Sequence, residues 1–296
     1  MIWADGKLII MKDLHNQIDL RKEFAYEGLR CHATNEGPAL FRWGRHIDRF
    51  FQSAQGCGFS LPFSSEEILQ GINDLIRAKS LDQAYIRIEA LSPKNTDKGA
   101  IVAINAENRA SFYQEVGFCP GKAVEEGVAV LIHRWEKRHE GQIPLIRIKG
   151  SRGISSFHIG QQARSRGYAS ALLLYGEDWV AEASEANLFY AQGGTLKTVP
   201  ASSPVLPGIT RDTVIELAHS VEINCREEPI QSSELCRAEE VFLAGTAVGL
   251  VPVIRIGEER IGEGRPGPIT RKVQYFYKKA VRGEFFPDRQ WLTFLA

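Results

Sequence analysis

A chain of 296 residues can bury one large core or two ordinary ones, and 44% hydrophobic with 24% charged residues is the composition of a folded globular protein. Lysine and arginine number 36 against 36 aspartate and glutamate, so no net positive field exists to draw in nucleic acid or an anionic membrane. The cysteines, Cys31, Cys57, Cys119, Cys225 and Cys236, are odd in number and lack a Cys-x-x-Cys pair, which argues for reduced thiols and against disulfides or zinc. Asp5, Lys7, Lys12 and Asp13 interrupt every apolar window of residues 1–20, so no signal peptide or membrane anchor is expected there and a cytoplasmic location is.

In chain order, residues 1–118 mix short strands with helices over 45–55 and 65–78, the second opened by Ser64, Ser65, Glu66 and Glu67 as cap and acidic first turn. Residues 85–90 alternate as a half-buried strand, and 100–105 form a continuous apolar run. This part reads as a small α/β domain. The turn residues of Cys119-Pro120-Gly121-Lys122 place an interdomain connection at 119–126. A larger domain is expected over 127–296, with strands at 128–133, 145–149, 171–175, 188–191, 241–244 and 253–256 and helices at 156–166, 210–220 and 270–281. Strands and helices intersperse without a strict βαβ rhythm, so an α/β fold of the α+β kind, with a mixed sheet or distorted barrel, is expected rather than a doubly wound one.

Gly262-Glu263-Gly264-Arg265-Pro266-Gly267 spells G-x-G-x-x-G, but the prolines and the late helix start make it a loop, not a dinucleotide fingerprint. His133 and His139 stand at no metal-ligand spacing, and no metal is expected. Ile146-Arg147-Ile148-Lys149-Gly150 is more informative: on a strand, Arg147 and Lys149 project to one face and aim two cations at one place. Taken alone, a half-exposed edge strand with its lysine in water is the better explanation of that segment.

Further segments change the balance: Tyr26-Glu27-Gly28-Leu29-Arg30, Ala84-Tyr85-Ile86-Arg87, Trp179 through Glu182 to Phe189, Leu206-Pro207-Gly208-Ile209-Thr210-Arg211-Asp212 and Phe242-Leu243-Ala244-Gly245-Thr246-Ala247. With the Lys149 segment, and in this order from about Tyr26 to Gln274, they resemble the class IV aminotransferases. Gly208 to Leu217 and Gly267-Pro268-Ile269-Thr270 look most like the branched-chain amino acid subgroup. The resemblance implies that family's two-domain fold with a pseudo-barrel in the larger domain, a homodimer, and pyridoxal 5'-phosphate held between the domains. Lys149 matches the lysine that condenses with the cofactor aldehyde and later carries the proton between substrate and cofactor. Glu182 matches the acid set against the pyridine nitrogen, and Ile209, Thr210, Thr246 and Arg49 match phosphate-binding positions, Thr210 opening a helix whose free N–H groups suit an anion. Arg87 matches the substrate-carboxylate arginine, Tyr26 a wall of the side-chain pocket, and Thr246 and Ala247 line the substrate.

The likeness has departures. Gly153-Ile154-Ser155-Ser156-Phe157 replaces the usual Asn-Tyr pair after the lysine, so the hydroxyl contact to the cofactor's phenolic oxygen is either missing or supplied by Ser155. Arg21 stands where branched-chain enzymes commonly carry a tyrosine, Phe118 replaces a second tyrosine, and Val248-Gly249 replaces the usual Ala-Glu. Arg21 is either a second guanidinium for an anionic substrate group or a solvated charge beside Lys22 and Glu23. The expected activity is amino-group transfer between a branched-chain-like L-amino acid and a 2-oxo acid such as 2-oxoglutarate. The alternatives are a D-amino acid or R-amine transaminase, an aminodeoxychorismate lyase, or a cofactor-free binding protein on the same scaffold.

Overall fold

The computed structural model describes residues 1–19, 22–94, 99–108, 111, 120–135, 147–151, 154–285 and 289–295. They form two compact units, 1–116 with 148–153 and 281–296, and 117–147 with 154–280. An uninterrupted second domain over 127–296 differs from this division. Two later pieces of chain hydrogen-bond into the first unit's sheet, Gly150 against Ala25 and 292–294 against 39–41. Residues 120–126, read from sequence as connection, form a helix of the second unit.

In the first unit, β1 (Ile2–Ala4), β2 (Lys7–Ile9), β3 (Phe24–Thr34), β4 (Gly37–Phe41), β5 (Ala84–Leu91), β6 (Ile101–Glu107) and the chain's last strand β16 (Leu292–Phe294) form an antiparallel sheet. Its order is β16-β4-β3-β5-β6-β1-β2. After a short α1 (Met11–His15), the helices are α2 (Trp43–Gly56) and α3 (Ser65–Ala78). Helix α3 starts where its sequence dictates: Ser64 and Glu67 form a reciprocal capping box that satisfies two otherwise unpaired N–H groups. Its Ile68, Ile72 and Leu75, at helical spacing, share one core with Ile47, Phe50 and Ala54 of α2 and with Leu29, Ile86, Ile88 and Ile104 of the sheet.

The period of two in β5 sends Ile86 and Ile88 into that core and Tyr85, Arg87 and Glu89 to the opposite face. Register carries the division across to β3. Glu27 pairs with Ile88 and so lies on the helix-covered face, while Tyr26 and Gly28 pair with Glu89 and Arg87 on the other. Gly28 is a glycine for a local reason: a Cβ there would run into the Tyr85 hydroxyl. The register of β4 covers Cys31–Thr34 of β3, and beside the start of β3 the incoming chain takes the edge: Tyr26 N–H donates to the Lys149 carbonyl at 2.8 Å.

The second unit contains α4 (Pro120–Glu126), β7 (Val128–Arg134), α5 (Ile154–Ser165), β8 (Ser170–Tyr175), β9 (Trp179–Ala183), β10 (Asn187–Gln192), β11 (Thr195–Thr198), α6 (Ile209–Ser220), β12 (Cys225–Glu227), α7 (Ser232–Leu235), β13 (Glu240–Gly245), β14 (Gly249–Ile256), β15 (Glu259–Arg260) and α8 (Pro268–Ala280). Its sheet runs β12-β11-β10-β13-β14-β7-β8-β9, with β15 on β14. Hairpins make most pairs antiparallel, whereas β7 lies parallel to both β8 and β14, giving the mixed sheet expected from the irregular order of elements. The Gly262–Gly267 stretch is a loop, with Gly262 and Gly264 at positive φ, and Glu240 accepts from the Ile269 and Thr270 N–H groups as the cap of α8. Among the described residues no helix is long and apolar enough to cross a membrane.

The strand expected at 145–149 is corrected. Residues 145–146 lie outside the described residues, 147 is a turn, 148 a bend, and 149 has no regular structure. Alternation therefore does not govern Arg147 and Lys149, which belong to different units: exposed Arg147 donates to the Ala201 carbonyl at 2.8 Å in the second, and Lys149 joins the first.

Candidate active site

In the first unit the Lys149 side chain is 17% exposed and its Nζ lies 3.3 Å from Glu27 Oε1. Glu27 has no exposed surface, so its charge must be met by donors in place of water. Several neighbours meet it. Arg49 donates through Nε at 2.7 Å and Nη2 at 2.8 Å, His46 Nδ1 sits at 3.2 Å, and the Gly28 N–H donates at 2.9 Å. Burial alone would raise the Glu27 carboxyl, but the charges of Arg49 and Lys149, with bonds from Arg49 and His46, hold it well below the usual range. Burial pushes the Lys149 amine below its ordinary value; Glu27 pulls the other way, and Arg49 and Arg87 add to the lowering. His46 is likewise lowered, chiefly by burial, and as a neutral ring donates from Nδ1 to the carboxylate.

Backbone geometry explains these neighbours. His46 and Arg49, three apart on α2, share the helix face that meets Glu27 of β3, and the Lys149 N–H donates to Ser53 Oγ, a turn further on, at 3.1 Å. Tyr26 forms a wall shared by two cations: the Arg87 guanidinium lies 4.4 Å and Lys149 Nζ 5.4 Å from its ring centroid. Arg87 Nε also donates to Glu89 Oε1 at 2.8 Å.

The second unit holds Glu182, half-buried on β9. Its Oε2 accepts from Asn187 Nδ2 at 3.2 Å and from the Leu206 N–H at 3.1 Å. Asn187 also donates to the Leu206 carbonyl at 3.0 Å, so one amide ties the carboxylate to the loop that leads into α6. That approach is close: a Cβ on Gly208, the N-cap of α6, would collide with Asn187 Oδ1. Ile209 and Thr210 open the helix, both buried, with no side chain capping their N–H groups. The Thr210 hydroxyl is 3.4 Å from that of Thr246, which sits with half-buried Ala247 in the turn between β13 and β14.

Among the residues singled out from sequence, Lys149, Arg49, Tyr26 and Arg87 thus gather in one unit, and Glu182, Ile209, Thr210, Thr246 and Ala247 in the other. Arg21, Phe118 and the Ser155 side chain lie outside the described residues. Glu27 and His46 were missed. The signal existed: an acid inside an apolar strand, and a His-x-x-Arg pair on an amphipathic helix able to meet it.

The sequence family described as amino-transferase class IV matches residues 25–256. The chain belongs to the class IV aminotransferases. This class IV aminotransferase is 30% identical over 292 residues to the branched-chain-amino-acid aminotransferase of Escherichia coli strain K12, covering 98% of this chain and 93% of that one. The E. coli branched-chain enzyme's crystal structure superposes with a TM-score of 0.88 at 29% identity, covering 100% of this chain and 99% of that one. The T.th. branched-chain enzyme complexed with N-(5'-phosphopyridoxyl)-L-glutamate matches at TM-score 0.88 and 28% identity, covering 100% and 98%. The Thermobaculum terrenum enzyme in its PLP-form matches at 0.84 and 27%, covering 99% and 97%. The protein is an aminotransferase, and its cofactor is pyridoxal 5'-phosphate.

Proposed function

We propose that this transaminase moves the amino group of a branched-chain-like L-amino acid to 2-oxoglutarate, leaving the donor as its 2-oxo acid and forming glutamate. The observation that carries the reading is the shared wall of Tyr26, where a carboxylate-binding guanidinium, Arg87, and a reactive amine, Lys149, lie 4.4 and 5.4 Å from one ring. That arrangement suits a substrate whose carboxylate and amino group sit on neighbouring atoms. The L-glutamate derivative bound by the T.th. relative supports glutamate as the shared partner. Arg21 is proposed as a second anchor, for the distal carboxylate of glutamate and 2-oxoglutarate. A cytoplasmic homodimer completes the reading.

Pyridoxal 5'-phosphate, when bound, supplies an aldehyde that exchanges amines and a ring that takes up the electrons left when the substrate Cα loses its proton. The residues present fit it, because the buried start of α6 carries no side-chain cap and Glu182 is a carboxylate fixed by two donors. Ile209 and Thr210 N–H groups with the Thr210 and Thr246 hydroxyls would hold the phosphate. Arg49, fixed by Glu27, adds positive charge for it. Glu182 would keep the pyridine nitrogen protonated. Lys149 has two tasks, as anchor and as proton carrier at Cα, and both need its neutral amine, which burial favours. Tyr26 excludes water along one side, and Arg87 orients the substrate by its carboxylate.

The test is a donor panel of L-leucine, L-glutamate, D-alanine and an R-arylalkylamine, followed by the change in visible absorption of the holoenzyme. L-Leucine and L-glutamate are expected to bleach the band, and 2-oxoglutarate to restore it. Response to D-alanine or the amine alone would replace this reading with the D-amino acid or R-amine one.

A further inference from the structure

We propose that Glu89 is a positioning residue that sets Arg87 for end-on recognition of the substrate carboxylate; this rests on the role given to Arg87 above. A guanidinium offers a carboxylate two grips, the side edge made by Nε with one Nη and the end made by both Nη groups. Glu89 Oε1 occupies Nε at 2.8 Å, and the ring of Tyr26 lies 4.4 Å from the guanidinium carbon. The first contact fixes the rotation of the guanidinium and the second fixes its plane. The side edge is thereby taken and the end remains. Among the described residues neither Nη of Arg87 makes a hydrogen bond.

The sheet dictates this placement. Arg87 and Glu89 are two apart on β5 and therefore share a face, and Glu89 is the cross-strand partner of Tyr26, whereas Arg87 stands opposite Gly28, which leaves it space. On the β6 side, Asn105 opposite Arg87 donates to Glu107 at 2.6 Å and does not compete for Glu89. The pair is too exposed, 42% for Arg87 and 25% for Glu89, to matter much for stability. Its consequence lies in recognition: a long flexible side chain held in one rotamer has less freedom to lose on binding.

The experiment uses holoenzyme and two unreactive probes, 4-methylvalerate and its uncharged amide 4-methylpentanamide, with dissociation constants from calorimetry. The ratio of amide to acid constants isolates carboxylate recognition, because a general loss of pocket structure weakens both. Glu89→Ala is expected to shrink that ratio roughly tenfold, and Glu89→Gln, which keeps the acceptor for Nε and removes only the charge, to stay within about twofold of the parent. Arg87→Ala should abolish the preference for the acid in either background. A ratio unchanged in Glu89→Ala but lost in Arg87→Ala overturns the role of Glu89 and leaves that of Arg87 standing. A ratio that rises in both Glu89 variants overturns it differently, making Glu89 a competitor of the substrate. A ratio unmoved by Arg87→Ala removes the Arg87 reading itself.

Discussion

Glu27 of the first unit and Glu182 of the second are two carboxylates held by different means. Glu27 has no exposed surface and is met by two cations, a forked arginine and a lysine, together with a neutral histidine and one backbone N–H. Glu182 is half-buried, and the two donors that fix its Oε2 are neutral, an asparagine amide and a backbone N–H. Cations and anion around Glu27 cancel, so removing one charge leaves the others uncompensated in a medium that cannot screen them. Around Glu182, and at the start of α6, fixed dipoles supply the field, and loss of one donor leaves the rest in place. The first arrangement binds stability to chemistry; the second keeps them apart.

The largest effect is expected at the point where that charge network meets the chemistry. Lys149→Ala should reduce turnover by roughly 10²–10⁴-fold or more while the second unit's residues still retain the cofactor's phosphate. Borohydride reduction and peptide mapping of the parent should find the cofactor on Lys149, and label on Lys79 or Lys197 instead would remove Lys149 from its role. Glu182→Gln should follow, slowing half-reactions on the order of 10²-fold with the cofactor still bound. Rapid-scan spectra showing parental rates would take Glu182 out of the site.

Glu27→Gln should reverse the balance between activity and stability. Removing one partner of a buried ion network costs about 3–5 kcal/mol, so its denaturant midpoint should fall far more than that of Glu182→Gln. Equal midpoints would erase the contrast between the two carboxylates. Acid titration sharpens the point. The folded value of Glu27 lies below its ordinary 4.5, so its contribution is complete above that pH and fades as the pH falls through the depressed value. His46 is depressed from 6.5, so below that pH the unfolded chain binds a proton that the fold refuses, and stability declines there first. His46→Gln should flatten the earlier decline in a pH series of denaturant melts, and a parent equally stable at about pH 7 and about pH 5 would contradict it.

The smallest effect belongs to the dipolar side. Thr246→Ala removes one neutral hydroxyl near Thr210 and should weaken cofactor retention by about 1 kcal/mol, roughly fivefold, without changing the melting midpoint. Equilibrium dialysis at graded cofactor concentrations measures it.

Much of this contrast was legible in the sequence on one side only. The helix start of the dipolar side is local: Pro207-Gly208-Ile209-Thr210 is a loop running into a helix, readable from four consecutive residues, whereas Glu182 meets the Leu206 N–H across 24 positions. Helix α3 was readable to its ends, because cap and apolar stripe agree over 65–78. The charged side is non-local. Glu27 meets Arg49 across 22 positions and Lys149 across 122, and no periodicity encodes such pairings. The alternation of Ile146 to Lys149 even pointed to a strand that 147–149 do not form, because that segment is shaped by the edge of β3 it joins, not by its own pattern. Strand β3 escaped notice because Glu27, Arg30 and His32 interrupt its apolar residues, although all three are buried.

The first unit is assembled from three separate lengths of chain, closing with β16 against β4. On a ribosome, its sheet therefore emerges almost whole and then waits through nearly the entire second unit for its border strand. During that interval β4 presents an open row of backbone donors and acceptors to any other extended chain. Glu27, too, has Arg49 as the one cation among its partners described above until residue 149 is synthesised. The nascent enzyme thus carries an open strand edge and its half-neutralised centre together, and both are resolved by chain that arrives late.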